Sequence, residues 1–276
     1  MSTAFIVISD RHTGHKQGTV NPDSRLDEDV PIPLYPTAES LWEIIITAAD
    51  YLNTNCKSYD KWIIDLGEVI QGNDKKDDLL VTDWDIQLRL SKEALAPFLG
   101  LKKLKGVRFL QATSWHELGN GGASKTLAHL VKADNKKLDV KHMNQSRIVV
   151  DGVMLDFTHH GSSTSKRKYL EGNSAFLDAK DRIINHIIEG KRCPDLSFTA
   201  HTHKPSKASA SILSNGEYIT NTQIITPPLC GAGAYSRKVA NPDMYYVGMH
   251  IVLTDGHGFE VIPFYKRLVD YHLEEI

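Results

Sequence analysis

Carboxylates and imidazoles recur in this chain at one kind of place, where an apolar run gives way to a polar loop. Asp10 and His12 follow Ala4-Phe5-Ile6-Val7-Ile8, and Glu68 follows Trp62-Ile63-Ile64-Asp65-Leu66-Gly67. His116 comes after Val107-Arg108-Phe109-Leu110, His159 and His160 after Val153-Met154-Leu155-Asp156-Phe157, and His201 and His203 after Leu196-Ser197-Phe198-Thr199-Ala200. Short apolar runs of this kind read as buried strands, and in α/β sheets ligands bind outside the carboxyl ends of strands. A carboxylate and an imidazole two residues apart at such an end turn toward one point, and a divalent cation accepts that mixed oxygen and nitrogen set. One histidine at a strand end is more often an ordinary hydrogen-bonded side chain. Repetition at successive strand ends points instead to one divalent metal site or a pair. Two cations about 3.5–4 Å apart clamp the attacking and leaving oxygens of a phosphoryl displacement. Holding them that close takes a bridging carboxylate, and Glu68 is the candidate from the middle strands.

The elements that position these residues alternate between strand and helix. Thr37-Ala38-Glu39-Ser40 opens a helix whose Leu41, Ile44, Ile45, Ala48, Tyr51 and Leu52 recur at helical spacing. Residues 78–99 read as a second helix, 124–133 as a third and 175–189 as a fourth. Asp151-Gly152 between Arg147–Val150 and Val153–Phe157 is a two-residue hairpin signal. After residue 205 the pattern is antiparallel, with Ser211–Leu213 and Tyr218–Thr220 around Asn215-Gly216, and Val247–Leu253 and Phe259–Phe264 around Asp255-Gly256. Residues 13–36 form a long polar stretch suited to shaping a site. No internal repeat or linker divides the chain, so residues 1–276 are expected to form one domain.

Composition narrows the function. The chain has 276 residues, 41% of them apolar, and a net charge of −2, so no global charge points to nucleic acid or an anionic membrane. No stretch approaches the ~18 apolar residues of a membrane span, and the start of the chain lacks a basic region followed by an apolar one. The three cysteines, Cys56, Cys193 and Cys230, are odd in number and far apart, which fits a reducing compartment and a cytoplasmic location.

Asp10-x-His12, Gly67-Glu68, His116-Glu117, His159-His160-Gly161 and His201-x-His203, in that order, resemble the blocks of the calcineurin-like metallophosphoesterase superfamily, which are DxH, GD, GNH(E/D), H and GHxH. The resemblance spans roughly residues 6 to 205. Ile225-Thr226-Pro227-Pro228-Leu229, Tyr235-Ser236-Arg237-Lys238 and the Thr-x-x-His form of block three are similar to phage- and prophage-type members. The resemblance implies a four-layer α/β/β/α sandwich of mixed sheets with two divalent cations at the sheet edge, Mn²⁺ first, with Zn²⁺, Fe or Ni²⁺ as alternatives. It implies that Asp10, His12 and His203 hold one metal, that His201 and a block-four histidine hold the other, and that Glu68 bridges. It further implies that His116 stands near the leaving group as general acid or donor, and that a metal-bound hydroxide attacks a phosphomonoester or phosphodiester. Nucleotides and nucleic acid are compatible substrates.

The chain departs from the family at three places. Glu68 stands for an aspartate, Ala200 stands for a glycine, and Trp115 stands for an asparagine that ligates the second metal. Thr113, Ser114 or a water are candidates to fill that place. In block four, strand-end placement favours His159 and the literal His-Gly match favours His160. The alternative reading is a catalytically degenerate scaffold, or a mononuclear relative, that binds a protein partner.

Several other features carry plainer expectations. Arg11 reads either as a phosphate-neutralising cation or as a solvent-facing ion pair, and His15 as a solvated loop residue. Lys102, Lys103 and Lys105, with Lys166-Arg167-Lys168, read as solvated surface. Asn73 and Asp74 are candidates to support Glu68. Trp62 and Trp84 read as core, and Trp115 as a platform at the site mouth on which a base or ring stacks.

Overall fold

The structure is a computed structural model that describes residues 2–27, 30–73, 78–119, 121–161, 172–232 and 245–268. Asp74, Asn120, Lys166-Arg167-Lys168 and Tyr235-Ser236-Arg237-Lys238 lie outside these residues. In chain order the elements are β1 (Thr3–Ile8), β2 (Arg25–Asp27), β3 (Val30–Pro31), α1 (Pro36–Thr54), β4 (Asp60–Asp65), α2 (Trp84–Glu93), α3 (Ala96–Leu99), β5 (Leu104–Leu110), α4 (Gly122–Asp134) and β6 (Asp139–Met143). They continue with β7 (Gln145–Val150), β8 (Val153–Thr158), α5 (Asn173–Ile188), β9 (Leu196–Thr199), β10 (Ser206–Ser214), β11 (Glu217–Ile225), β12 (Tyr245–Thr254) and β13 (Phe259–Leu268).

Two mixed sheets stand face to face. The first has the order β13-β12-β1-β4-β5-β6 and the second β10-β11-β9-β8-β7. Strands β1, β4, β5 and β6 run parallel, while β12 and β13 close the first sheet with antiparallel pairs. Period-two alternation sends Phe5 and Val7 of β1 to one face and Ala4, Ile6 and Ile8 to the other. Phe5, Val7, Ile64 and Leu110 meet Leu155, Phe157, Leu196 and Phe198 of the second sheet in the inner core. Ala4, Ile6, Ile8, Ile63 and Phe109 pack outward on α1 and α4 through Leu41, Ile45, Leu52, Leu127 and Val131. On the far side, Ala179 and Ile183 of α5 cover Ala210 of β10. The layers are therefore α/β/β/α, the architecture implied by the resemblance.

Where element boundaries differ from the sequence reading, local hydrogen bonding explains it. The helix expected over 78–99 starts only at Trp84, because Asp83 caps it by accepting from the Ile86 N–H at 3.0 Å. Leu80 N–H instead donates to Gly14 O at 2.7 Å. The run then breaks before Ala96–Leu99, where Pro97 has no N–H to continue it. Strand β6 leaves little mark in the sequence, because Asp-Val-Lys-His-Met offers little apolar pattern, yet it pairs in parallel with β5. Strands β10 and β11 extend well beyond their apolar residues, helped by Ser209–Thr222 and Ser211–Thr220 hydroxyl pairs at 2.9 and 2.8 Å. Residues 13–36 contain β2 and β3 and send Val20 and Ile32 into a small core with Ala38 and Leu90. Lys102, Lys103 and Lys105 are exposed, and Trp62 and Trp84 are partly buried against the cores. Among the described residues no helix is long and apolar enough to cross a membrane.

Candidate metal centre

Two loops at the carboxyl ends of β1 and β4 are zipped together past the end of the sheet. Leu66 N–H donates to Ile8 O at 2.8 Å, Asp10 N–H to Gly67 O at 2.9 Å and His12 N–H to Glu68 O at 3.0 Å. Gly67, at φ 113°, is required here, since a Cβ on it would lie 2.6 Å from Ala112 Cβ. The backbone at the loop tips is strained. Among the described residues nine non-glycine positions have positive φ, and five of them are Asp10, His12, Glu68, His201 and His203. Such conformations cost on the order of 1–3 kcal/mol each and persist where surrounding structure enforces them.

Part of that enforcement comes from Arg11. It was expected to face a substrate phosphate or solvent, and it does neither. Its side chain is fully buried, with Nε and Nη2 donating to Asp65 Oδ2 at 3.0 and 2.8 Å and Nη1 donating to Ser91 O at 2.7 Å. Asp65 Oδ1 accepts from the Gly67 N–H at 3.1 Å, so one ion pair ties both loops. His15 also departs from expectation. It is buried, Nδ1 accepts from the Gln17 N–H at 2.9 Å, and Nε2 lies 3.7 Å from Asp78. Burial, with the nearby His12 charge, pulls its pKa down to about 4.

Asp10, His12, Glu68 and His203 form one group and His159, His160 and His201 another, the donor atoms of each lying within 4.8 Å of one another. Glu68 stands between them. Its Oε2 is 3.0 Å from His12 Nε2, while its Oε1 is 3.4 Å from His159 Nε2 and 3.3 Å from His201 Nδ1. His203 Nε2 is 3.4 Å from both His12 Nε2 and Asp10 Oδ1. His159 is fully buried, whereas His160 is exposed.

The hydrogen-bond network assigns tautomers. His159 Nδ1 donates to Leu66 O at 2.9 Å, since a carbonyl only accepts. Tyr245 donates its hydroxyl to Cys230 O at 3.0 Å, so that hydroxyl accepts from His203 Nδ1 at 3.3 Å. In its neutral form each ring therefore turns an Nε2 lone pair toward a carboxylate oxygen, and as the imidazolium it donates there. Asp10 Oδ1 and His159 Nε2 are buried and make no hydrogen bond. With the rings neutral, these nitrogen and carboxylate lone pairs face one another and repel unless a cation lies between them. Donors about 2.1 Å from a common divalent ion stand roughly 3.0–3.6 Å apart, which the 3.0–3.4 Å separations match. The residues fit divalent metal. Tyr245 and Leu66 O are supports the sequence did not reveal. Burial raises the Asp10 and Glu68 carboxyls, but hydrogen bonds and charge from the surrounding histidines outweigh it, holding Asp10 below and Glu68 well below the usual range.

The block-three loop lies alongside. His116 Nδ1 donates to Gln71 O at 2.5 Å, which fixes the ring, and the ring meets His12 edge-on at 4.7 Å between centroids. Gly72 makes room, since a Cβ there would be 2.9 Å from Trp115 O. Glu117 is buried, accepting from Glu68 N–H at 3.1 Å and from Ser124 N–H and Oγ–H at 2.8 and 2.6 Å. Burial, only partly offset by Ser124, pushes its pKa up to about 7. Thr113 donates its hydroxyl to Glu68 Oε1 at 2.6 Å. Trp115 is 68% exposed.

No family model and no curated protein matches the chain. Solved structures do. An archaeal phosphodiesterase is similar over 95% of this chain and 99% of its own, with 11% identity and a TM-score of 0.43. A zinc complex of Vps29 from Entamoeba histolytica is similar over 95% and 99%, with 14% identity and a TM-score of 0.36. GAP50, the anchor in the inner membrane complex of Plasmodium, is similar over 98% and 87%, with 10% identity and a TM-score of 0.40. Each is a similarity of this chain, and what the site does rests on its own atoms.

Proposed function

We propose that the chain is a calcineurin-like, metal-dependent phosphoesterase acting as one domain on phosphomonoesters or phosphodiesters at a dinuclear centre. The observation that carries this reading is Glu68, with one oxygen 3.0 Å from His12 in one donor group and the other 3.3–3.4 Å from His201 and His159 in the second. Asp10, His12 and His203 would hold the first cation, His159 and His201 the second, and Glu68 both. Two bound divalent cations supply positive charge that offsets the phosphoester oxygens and lowers the pKa of water.

The remaining work falls to the chain's own side chains. Leu66 O and Tyr245 orient the rings of His159 and His203, and Thr113 fixes the Glu68 carboxylate. His116, anchored through Nδ1 on Gln71 O, offers Nε2 to a substrate oxygen. As the imidazolium it gives that proton to the leaving oxygen, and in either protonation state the carbonyl keeps the ring's orientation. The substitution of Trp115 for the family asparagine favours the competing reading of a metal-poor scaffold.

Elemental analysis after Mn²⁺ loading, run beside hydrolysis of bis-p-nitrophenyl phosphate, separates the two. Close to two metals per chain with turnover is the expected result. One metal or none without turnover overturns the enzyme reading in favour of the scaffold.

A further inference from the structure

We infer that His160 is a ligand of the second cation, completing with His159, His201 and Glu68 a site of three imidazoles and one carboxylate where the family uses an asparagine. This rests on the dinuclear reading above and adds a residue to it. The ring centroids of the three histidines form a near-regular triangle, 4.8 Å between His159 and His160, 4.9 Å between His160 and His201 and 5.3 Å between His159 and His201. Their planes meet at 60–82°, so the rings do not stack. Their donor atoms lie within 4.8 Å of one another, an upper bound that leaves room for one shared ion.

The backbone holds this triangle. Ala200 N–H donates to His159 O at 2.9 Å and Thr158 Oγ1 donates to His160 O at 3.0 Å. Gly161 lies directly on Thr199, where a Cβ would come within 2.6 Å of Thr199 Cγ2. Residues 159–161 are thereby held on the end of β9, next to His201. Of the groups that sequence position offers in place of the asparagine, the Trp115 indole has no lone pair to give and the Thr113 hydroxyl is bound to Glu68. His160, unlike Ser114, belongs to the same close group of donors as His159 and His201.

The two sites then differ in chemistry. The first draws two carboxylates and two imidazoles, a set open to hard cations such as Mn²⁺. The second draws three imidazoles and one carboxylate oxygen, a set suited to four-coordinate Zn²⁺.

Zn²⁺ titration of the purified chain by calorimetry, with metal content after gel filtration, tests this together with the visible spectrum of the Co²⁺ form. The wild type is expected to take two equivalents and to show the strong visible bands of four-coordinate Co²⁺. In His160→Ala the second equivalent should weaken by at least about 100-fold, the upper end of the loss from an outer partner of a ligand, and the strong bands should fade while the first equivalent is unchanged. Because His160 is exposed, the variant should keep the wild-type fold, which circular dichroism checks. Two equivalents with unchanged affinity and spectrum in His160→Ala overturn the inference and leave the dinuclear reading standing. A single equivalent in the wild type overturns this site. No uptake by the wild type overturns both readings.

Discussion

Replacing Asp65 by Asn should unfold the metal-binding end of the molecule by stranding Arg11. The guanidinium is fully buried, and its partners are Asp65 Oδ2, through two hydrogen bonds at 2.8 and 3.0 Å, and Ser91 O at 2.7 Å. The amide introduced by Asp65→Asn would keep an acceptor for Gly67 N–H but remove the only charge opposing Arg11 in that pair. Breaking a buried pair from one side costs about 3–5 kcal/mol, a fall in Tm on the order of 10 °C for a chain of this size. Arg11→Met strands the Asp65 carboxylate and should cost a similar amount. Burial already raises the Asp65 carboxyl more than Arg11 lowers it, so the pair is held together by mutual need rather than by a net gain. The double variant Arg11→Met/Asp65→Asn buries no net charge and loses chiefly the partner of Ser91 O, about 1–3 kcal/mol. It should therefore be more stable than either single variant. Urea denaturation of the four proteins gives the coupling energy, expected at roughly 3 kcal/mol or more. Additive losses, with coupling under about 1 kcal/mol, would refute the argument that one ion pair holds both loops.

Other expectations follow from the same geometry. His116→Ala should keep the metal content of the wild type while hydrolysis of bis-p-nitrophenyl phosphate falls roughly 10²–10⁴-fold, the usual weight of a general acid; retained turnover would remove His116 from the reaction. Tyr245→Phe takes away the acceptor for His203 Nδ1–H, and metal affinity at the Asp10, His12, Glu68 and His203 group should drop about 10–100-fold, measured by competition with a chelating dye. Burial, with a small contribution from Lys207, pulls the His250 pKa down to about 3. Its folded value lies below the unfolded one of about 6.5. The unfolded chain therefore binds the proton first, and the stability from neutral His250 is complete above about pH 6.5 and lost as pH falls toward 3, at up to about 1.4 kcal/mol per pH unit. Urea midpoints between pH 7 and 4 should fall more steeply in the wild type than in His250→Asn, and parallel slopes would count against a neutral buried imidazole.

The candidate ligands were legible because their signal is local. An apolar run that stops at Asp10-x-His12 or His201-x-His203 reports both a strand and what stands at its end, and hairpin turns at Asp151-Gly152, Asn215-Gly216 and Asp255-Gly256 announce themselves in two residues. Strand β6 was not legible, since its place is set by hydrogen bonds to β5 rather than by apolar pattern. The fates of Arg11 and His15 were not legible either. Asp65 is 54 residues from Arg11, and nothing in the neighbourhood of either residue marks the pair.

The sequence by itself determined which side chains reach the sheet edge and in what order, because side-chain alternation and loop placement follow from short-range pattern. The tertiary structure alone decided how those side chains face one another. It placed Glu68 between the two groups, set the tautomers of His159 and His203 through Leu66 O and Tyr245, and brought His160 beside His201. Each of these depends on the distance between residues remote in the chain, which the packing of two sheets fixes and local pattern does not encode.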